Sequence, residues 1–78
     1  MKISLLRTIN LTPAQKIVEL RLKHDISILE LAAKLRLTVS TYKELENGNS
    51  YPTERMIRKI AKQYGLTYDE FLAVGENK

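Results

Sequence analysis

Apolar side chains recur at intervals of three and four residues from residue 12 onward, and no stretch there alternates as a strand does. This period predicts five short helices that bury one face each. A serine or threonine stands before each predicted helix, where its hydroxyl can accept a hydrogen bond from the first turn. These residues are Thr12, Ser27, Thr38, Thr53 and Thr67. Residues 1–11 contain apolar positions that fit neither a helical nor a strand period.

The ends of the predicted helices carry their own signals. Ser27 with Glu30, and Thr67 with Glu70, have the spacing of a capping box, in which the glutamate also bonds back to the cap. Left-handed exits are predicted at Gly48 and Gly65 by the residue type, and Asp25 also tolerates that conformation. The third helix is therefore predicted over Val39 to Asn47.

Length and composition limit what the chain can be. Its 78 residues suffice for one small domain, predicted over 12–74 between an N-terminal arm (1–11) and a polar tail (75–78). The chain has no cysteine and one histidine, which excludes disulfides and clustered His or Cys metal ligands. We therefore expect no metal and no cofactor. No apolar run is long enough for a membrane span or a signal peptide, and we expect a cytoplasmic protein.

The net charge of +4 and the pI of about 9.5 favour a polyanionic partner, most often nucleic acid. Two short helices joined by a tight connection at Arg36–Thr38 suggest a helix-turn-helix. Here the chain resembles the Cro-like and phage-repressor-like helix-turn-helix domains over about residues 14 to 74. The matching residues are Leu20, Arg21, Ser27, Glu30, Leu31, Ala32, Leu35, Thr38, Leu45, Glu46, Asn47, Gly48, Pro52, Ile60, Ala61 and Gly65.

The resemblance implies an all-α, lambda-repressor-like bundle of about five helices. Ala32 then lies where the second and third helices cross, since a small side chain lets two backbones approach. Arg21 and Glu46 match a pair that ties the first helix to the end of the third. We expect these two side chains within hydrogen-bonding distance and largely buried.

The resemblance also implies that the third helix enters the major groove of double-stranded DNA. The implied base-contacting residues are Val39, Ser40, Lys43 and Glu44. The implied phosphate-contacting residues are Ser27, Thr38, Asn47, Asn49, Ser50 and Tyr51.

The chain departs from the family pattern at several positions. Ile28 stands where the family often has a glutamine that binds phosphate, and Leu29 beside it is also apolar. Arg36 replaces a turn glycine, so a positive φ is predicted there. The segment 39–47 has a net charge of −1, which disfavours phosphate. The fourth helix is basic instead, with Arg55, Arg58, Lys59 and Lys62.

Together these features predict a sequence-specific DNA-binding regulator of a bacterium or phage, acting as a homodimer on a two-fold operator. With no sensor domain attached, it is expected to resemble a small Cro-like repressor or an antitoxin-type autorepressor. The predicted dimer interface is the fifth helix with Phe71, Leu72 and Val74, and strand pairing of the N-terminal arm is the alternative.

A different class of function stays open: a protein-interaction module whose contact surface is Ile28, Leu29 and the N-terminal arm. DNA binding should weaken steeply with salt, whereas an apolar contact should not. With one histidine and no converging pair of acids, nothing resembles a catalytic site, and we do not expect an enzyme.

Overall fold

The computed structural model describes residues 11–75, and over this range the chain is helical with no strand. The helices are α1 (Pro13–Lys23), α2 (Ile28–Lys34), α3 (Val39–Asn47), α4 (Glu54–Gln63) and α5 (Tyr68–Leu72). The predicted all-α bundle is confirmed, and α2 and α3 form the predicted helix-turn-helix. Most of the predicted arm and tail, residues 1–10 and 76–78, lies outside the described residues.

Every helix in this range begins at its predicted hydroxyl. Each cap oxygen accepts from the backbone N–H three residues on, at 3.0–3.2 Å. The capping box at Thr67 is complete, because Glu70 accepts from the Thr67 amide at 2.8 Å. The box predicted at Ser27 is only half formed, since the exposed Glu30 carboxylate can bond to water at little cost. Gln15 completes an unpredicted box at Thr12.

Helices α1 to α4 share one way of ending. After each, one residue adopts a left-handed conformation, and the next N–H reaches back five residues to a helix carbonyl at 2.9–3.1 Å, as in a Schellman motif. Glycine occupies the left-handed position only after α3 and α4, at Gly48 and Gly65. Asp25 (φ 54°) and Arg36 (φ 61°) occupy it after α1 and α2, so the positive φ predicted at Arg36 is confirmed.

The core draws side chains from all five helices. Its largest fully buried members are Tyr42, Phe71, Ile17, Leu31, Leu35 and Ile60. Ala32 is 1% exposed, as expected of a small residue at a helix crossing. The buried Lys16 donates from Nζ to the carbonyl of Leu72 and so joins α1 to the end of α5.

The burial of Phe71 corrects the predicted dimer interface. Its ring is 0% exposed, and a side chain that completes the core cannot also meet a partner. Leu72 and Val74 are half-buried and pack against the same core. A five-residue helix is too short for its apolar period to show which face points inward.

Replacing Arg36 with glycine should stabilise the domain by about 1 kcal/mol, because a left-handed conformation costs a residue with a Cβ about that much. The check is the urea-unfolding midpoint of Arg36→Gly against wild type. Asp25→Gly is the matched control: aspartate tolerates the conformation better, so the gain there should be smaller. Arg36→Ala keeps the Cβ and should not stabilise. A destabilised Arg36→Gly would show that the arginine side chain contributes more than the strain costs.

Candidate nucleic-acid interface

The outward face of α3 follows from the helical repeat. Tyr42 and Leu45 are buried, 0% and 5% exposed, and fix the inward direction of this helix. At about 100° per residue, the opposite side collects residues at spacings of three, four and seven. They are Ser40, Lys43, Glu44 and Asn47, and all four are exposed. Three were predicted to contact bases.

Two further predicted contact residues lie on this helix. Val39 lies at the edge of this face and is half-buried against the core, so only part of its side chain remains accessible. Asn47 was assigned to phosphate. It lies two turns after Ser40 on the same side of α3, in the middle of the outward face.

A buried network fixes α3 against α1. Arg21 Nε donates to Glu46 Oε2 at 2.6 Å, and Arg21 Nη2 lies 3.4 Å from Glu46 Oε1. The two side chains are 15% and 9% exposed, so the predicted pair is confirmed in both distance and burial. Tyr42 Oη also donates to Glu46 Oε2, at 2.5 Å, and Arg21 Nη1 donates to the carbonyl of Ile26 at 3.0 Å.

The network keeps Tyr42 and Arg21 in their protonated forms. Burial, and then the hydrogen bond to Glu46, raise the pKa of Tyr42 above its ordinary value, so its hydroxyl remains a donor. The hydrogen bond to Glu46 likewise raises the pKa of Arg21. Burial raises the pKa of Tyr64, whose hydroxyl has no hydrogen-bond partner among the described residues.

Alkaline pH should therefore weaken the domain through Tyr42. A raised folded-state pKa means that its stabilisation is complete below about pH 10, the unfolded value, and is lost as the pH rises above that. The loss should approach about 1.4 kcal/mol per pH unit. Urea midpoints measured on either side of about pH 10 test this. Tyr42→Phe should show a shallower fall, and an identical fall in wild type and variant would contradict the assignment.

The exposed charge of α3 differs from its formal charge. Glu46 is paired with Arg21 and largely buried, so Lys43 and Glu44 carry the charges that face solvent. These two cancel. The net −1 inferred from the segment therefore overstates the repulsion that a phosphate would meet at this face.

The loop after α3 presents mainly side chains. The amides of Asn49 and Ser50 are already used, since both donate to the carbonyl of Glu44 at 3.0 and 3.1 Å. Within residues 11–75, the side chains of Asn49, Ser50 and Tyr51 make no intramolecular hydrogen bond and are exposed. Tyr51 is 79% exposed and stands between two shallow clefts of about 160 and 220 Å³.

The two helix caps assigned to phosphate are not equivalent. Ser27 Oγ accepts from the Glu30 amide at 3.0 Å and keeps its own hydrogen for a further acceptor. Thr38 Oγ1 accepts from the Thr41 amide at 3.1 Å and also donates to Thr41 Oγ1 at 2.9 Å. A phosphate at Thr38 would have to displace that second bond.

The two apolar residues at the start of α2 differ in how far they are exposed. Leu29 is 69% exposed, as expected, but Ile28 is half-buried and packs against the core. Within the described residues, Leu29 is thereby the main exposed member of the surface predicted for a protein partner, and Ile28 adds only part of its side chain. Between residues 11 and 75 there is also no group of three His, Asp or Glu side chains that could hold a metal ion, and no helix long and apolar enough to cross a bilayer.

Comparison with protein families gives one match: a family described as Helix-turn-helix, whose model covers residues 17–71. The matched range runs from α1 through α5 and so includes the buried network and the outward face of α3. Comparison with curated proteins and with solved structures gives no match.

Proposed function

Because the chain belongs to the Cro/C1-type helix-turn-helix family of DNA-binding regulators, we propose that it is a sequence-specific transcriptional repressor of a bacterium or phage that reads operator DNA with α3. The observation that carries this proposal is the outward face of α3. Its side chains are exposed, and the helix is tied to α1 by the Arg21–Glu46 pair. A rigid helix with unused polar side chains is what major-groove recognition requires.

The base-reading roles follow from donor and acceptor types. Ser40 can bond to several bases, and Lys43 can reach a guanine edge or a phosphate. Glu44 accepts from the amino group of cytosine, and the exposed part of Val39 covers a thymine methyl.

The proposed phosphate contacts come from two places. They are the caps Ser27 and Thr38, and the side chains at the end of α3 and in the loop after it, at Asn47, Asn49, Ser50 and Tyr51. These contacts set the register of α3 on the duplex and carry no sequence information of their own.

Selection of bound sites from a random DNA pool tests the function directly. We expect a two-fold consensus with half-sites about 34 Å apart, because one short recognition helix makes too few contacts alone. Recovery of sequences without any consensus would refute sequence-specific recognition.

A homodimer is the expected form on that operator. Sedimentation of the complex should give two chains per duplex, with Leu72 and Val74 supplying the apolar part of the α5 surface that remains accessible. Monomers on a two-fold operator would contradict this expectation.

A protein-interaction module is the competing function, and Leu29 is its best support. One exposed leucine is ordinary on a protein surface, however, and the packing of Ile28 against the core leaves only part of that neighbouring side chain accessible. The salt dependence of binding distinguishes the two functions. Affinity for DNA should fall steeply between low and physiological salt, whereas an apolar contact with a protein should not weaken.

A further inference from the structure

Helix α4 has a basic outward face. Ile57, Ile60 and Ala61 are buried and point into the core. The opposite side of the helix presents exposed cations. Those without an ion pair in the described structure are Arg55, Lys59 and Lys62, and we name these three the α4 basic face.

The fourth cation of α4 is already used. Arg58 donates twice to Glu54 Oε2, at 2.9 and 2.6 Å, and its guanidinium lies 4.7 Å from the centre of the Tyr68 ring. The acid of α4 is therefore neutralised within its own helix. The α4 basic face keeps a charge of +3 with no carboxylate of α4 left to offset it.

This charge contrasts with the neutral exposed face of α3. Electrostatic attraction to phosphates supplies most of the non-specific affinity of a protein for DNA. Lys43 and Glu44 cancel on α3, so that attraction must come from another surface. The α4 basic face is the densest group of unpaired cations on any one of the described helices.

We propose that the α4 basic face binds the phosphate backbone of the duplex that α3 reads, an inference that rests on the function proposed above. Arg55 and Lys62 are about 10.5 Å apart along the helix axis, at 1.5 Å per residue. A DNA strand presents about one phosphate per 3.4 Å of duplex axis, so a stretch of this length carries about three phosphates, enough for the three cations. α4 also begins at Glu54, three residues after Tyr51, which is itself a proposed phosphate contact.

The salt dependence of DNA binding tests the proposal. The variant Lys59→Gln/Lys62→Gln leaves α3 and its loop unchanged. Its affinity for a labelled duplex of mixed sequence, about 30 base pairs long, is compared with wild type by fluorescence anisotropy across salt concentrations. Losing two phosphate contacts should lower the slope of log K against log[salt] by about 1.8. A rise from about 50 to about 200 mM salt should then weaken wild type about tenfold more than the variant.

The matched control is Lys23→Gln/Lys34→Gln, which removes the same charge from exposed positions in α1 and α2. Its slope should stay close to that of wild type. Equal slopes for the two double variants, or no binding of wild type to the mixed duplex at low salt, would overturn the proposal. Failure of the proposed function would be seen in a different experiment. The selection from the random DNA pool would then give no consensus, whatever the salt slopes of the variants are.

Discussion

Replacing Glu46 with alanine should destabilise the domain by about 3–5 kcal/mol, because it leaves the buried Arg21 guanidinium without its counter-charge. The Tyr42 hydroxyl loses its acceptor in the same step. A domain of this length has a total stability of about 4–12 kcal/mol, so the variant should lose a large part of it and unfold at a much lower urea concentration than wild type. Urea unfolding followed by circular dichroism measures the loss.

Two controls separate the ion pair from other effects. Glu44→Ala changes the same residue type on the exposed side of α3 and should shift stability by no more than about 0.5 kcal/mol. The double variant Arg21→Met/Glu46→Met buries no uncompensated charge, so it should be more stable than Glu46→Ala. The free energy of unfolding is also measured for the single variants Arg21→Met and Glu46→Met. If the double variant loses as much stability as these two variants together, the two side chains are not coupled.

Helix starts were predictable because a single residue type determines them. A hydroxyl at the cap satisfies an N–H that the helix itself cannot, and the signal is local in sequence. The left-handed ends were predictable at Gly48 and Gly65 for the same reason. At Arg36 residue type argues against that conformation, and only the resemblance to a family with a glycine there predicted it.

Longer-range features were harder to predict. The Arg21–Glu46 pair joins α1 to α3 through two residues that lie 25 positions apart in the sequence. Only the resemblance to the family predicted this pair. The hydrogen bond from Tyr42 to Glu46 was missed, although the two residues lie four apart on one helix, a spacing at which side chains meet. The pairing of Glu54 with Arg58 has the same spacing and was missed as well.

The candidate DNA-reading site was only partly predictable for a related reason. Which residues face outward follows from the helical period once Tyr42 and Leu45 are known to be buried. The charge that this face exposes does not follow from the helical period, because it depends on which carboxylate is already paired with a cation. The pairing of Glu46 leaves Glu44 as the acidic side chain on the outward face of α3, and the proposed reading of bases depends most on Glu44.

Replacing Glu44 with glutamine should shift base preference at one operator position from cytosine toward adenine. Glu44 is exposed on α3, one turn after Ser40, so both side chains can enter one groove. A carboxylate can only accept, and the amino group of cytosine is the major-groove donor that suits it best, whereas glutamine pairs with adenine. The expected change in discrimination is about 1–3 kcal/mol, measured by competition between operators that differ at that base pair.

Replacing Glu44 with alanine separates base reading from simple charge. With the carboxylate gone, its repulsion of phosphates disappears, so affinity for random DNA should rise while cytosine preference falls. Glu19→Ala is the matched control, because it removes one exposed carboxylate from α1, away from the outward face of α3, and should change base preference at no position. If Glu44→Ala alters neither random-DNA affinity nor that preference, Glu44 does not face the groove. The exposed Leu29 and a protein partner then become the better explanation of this surface.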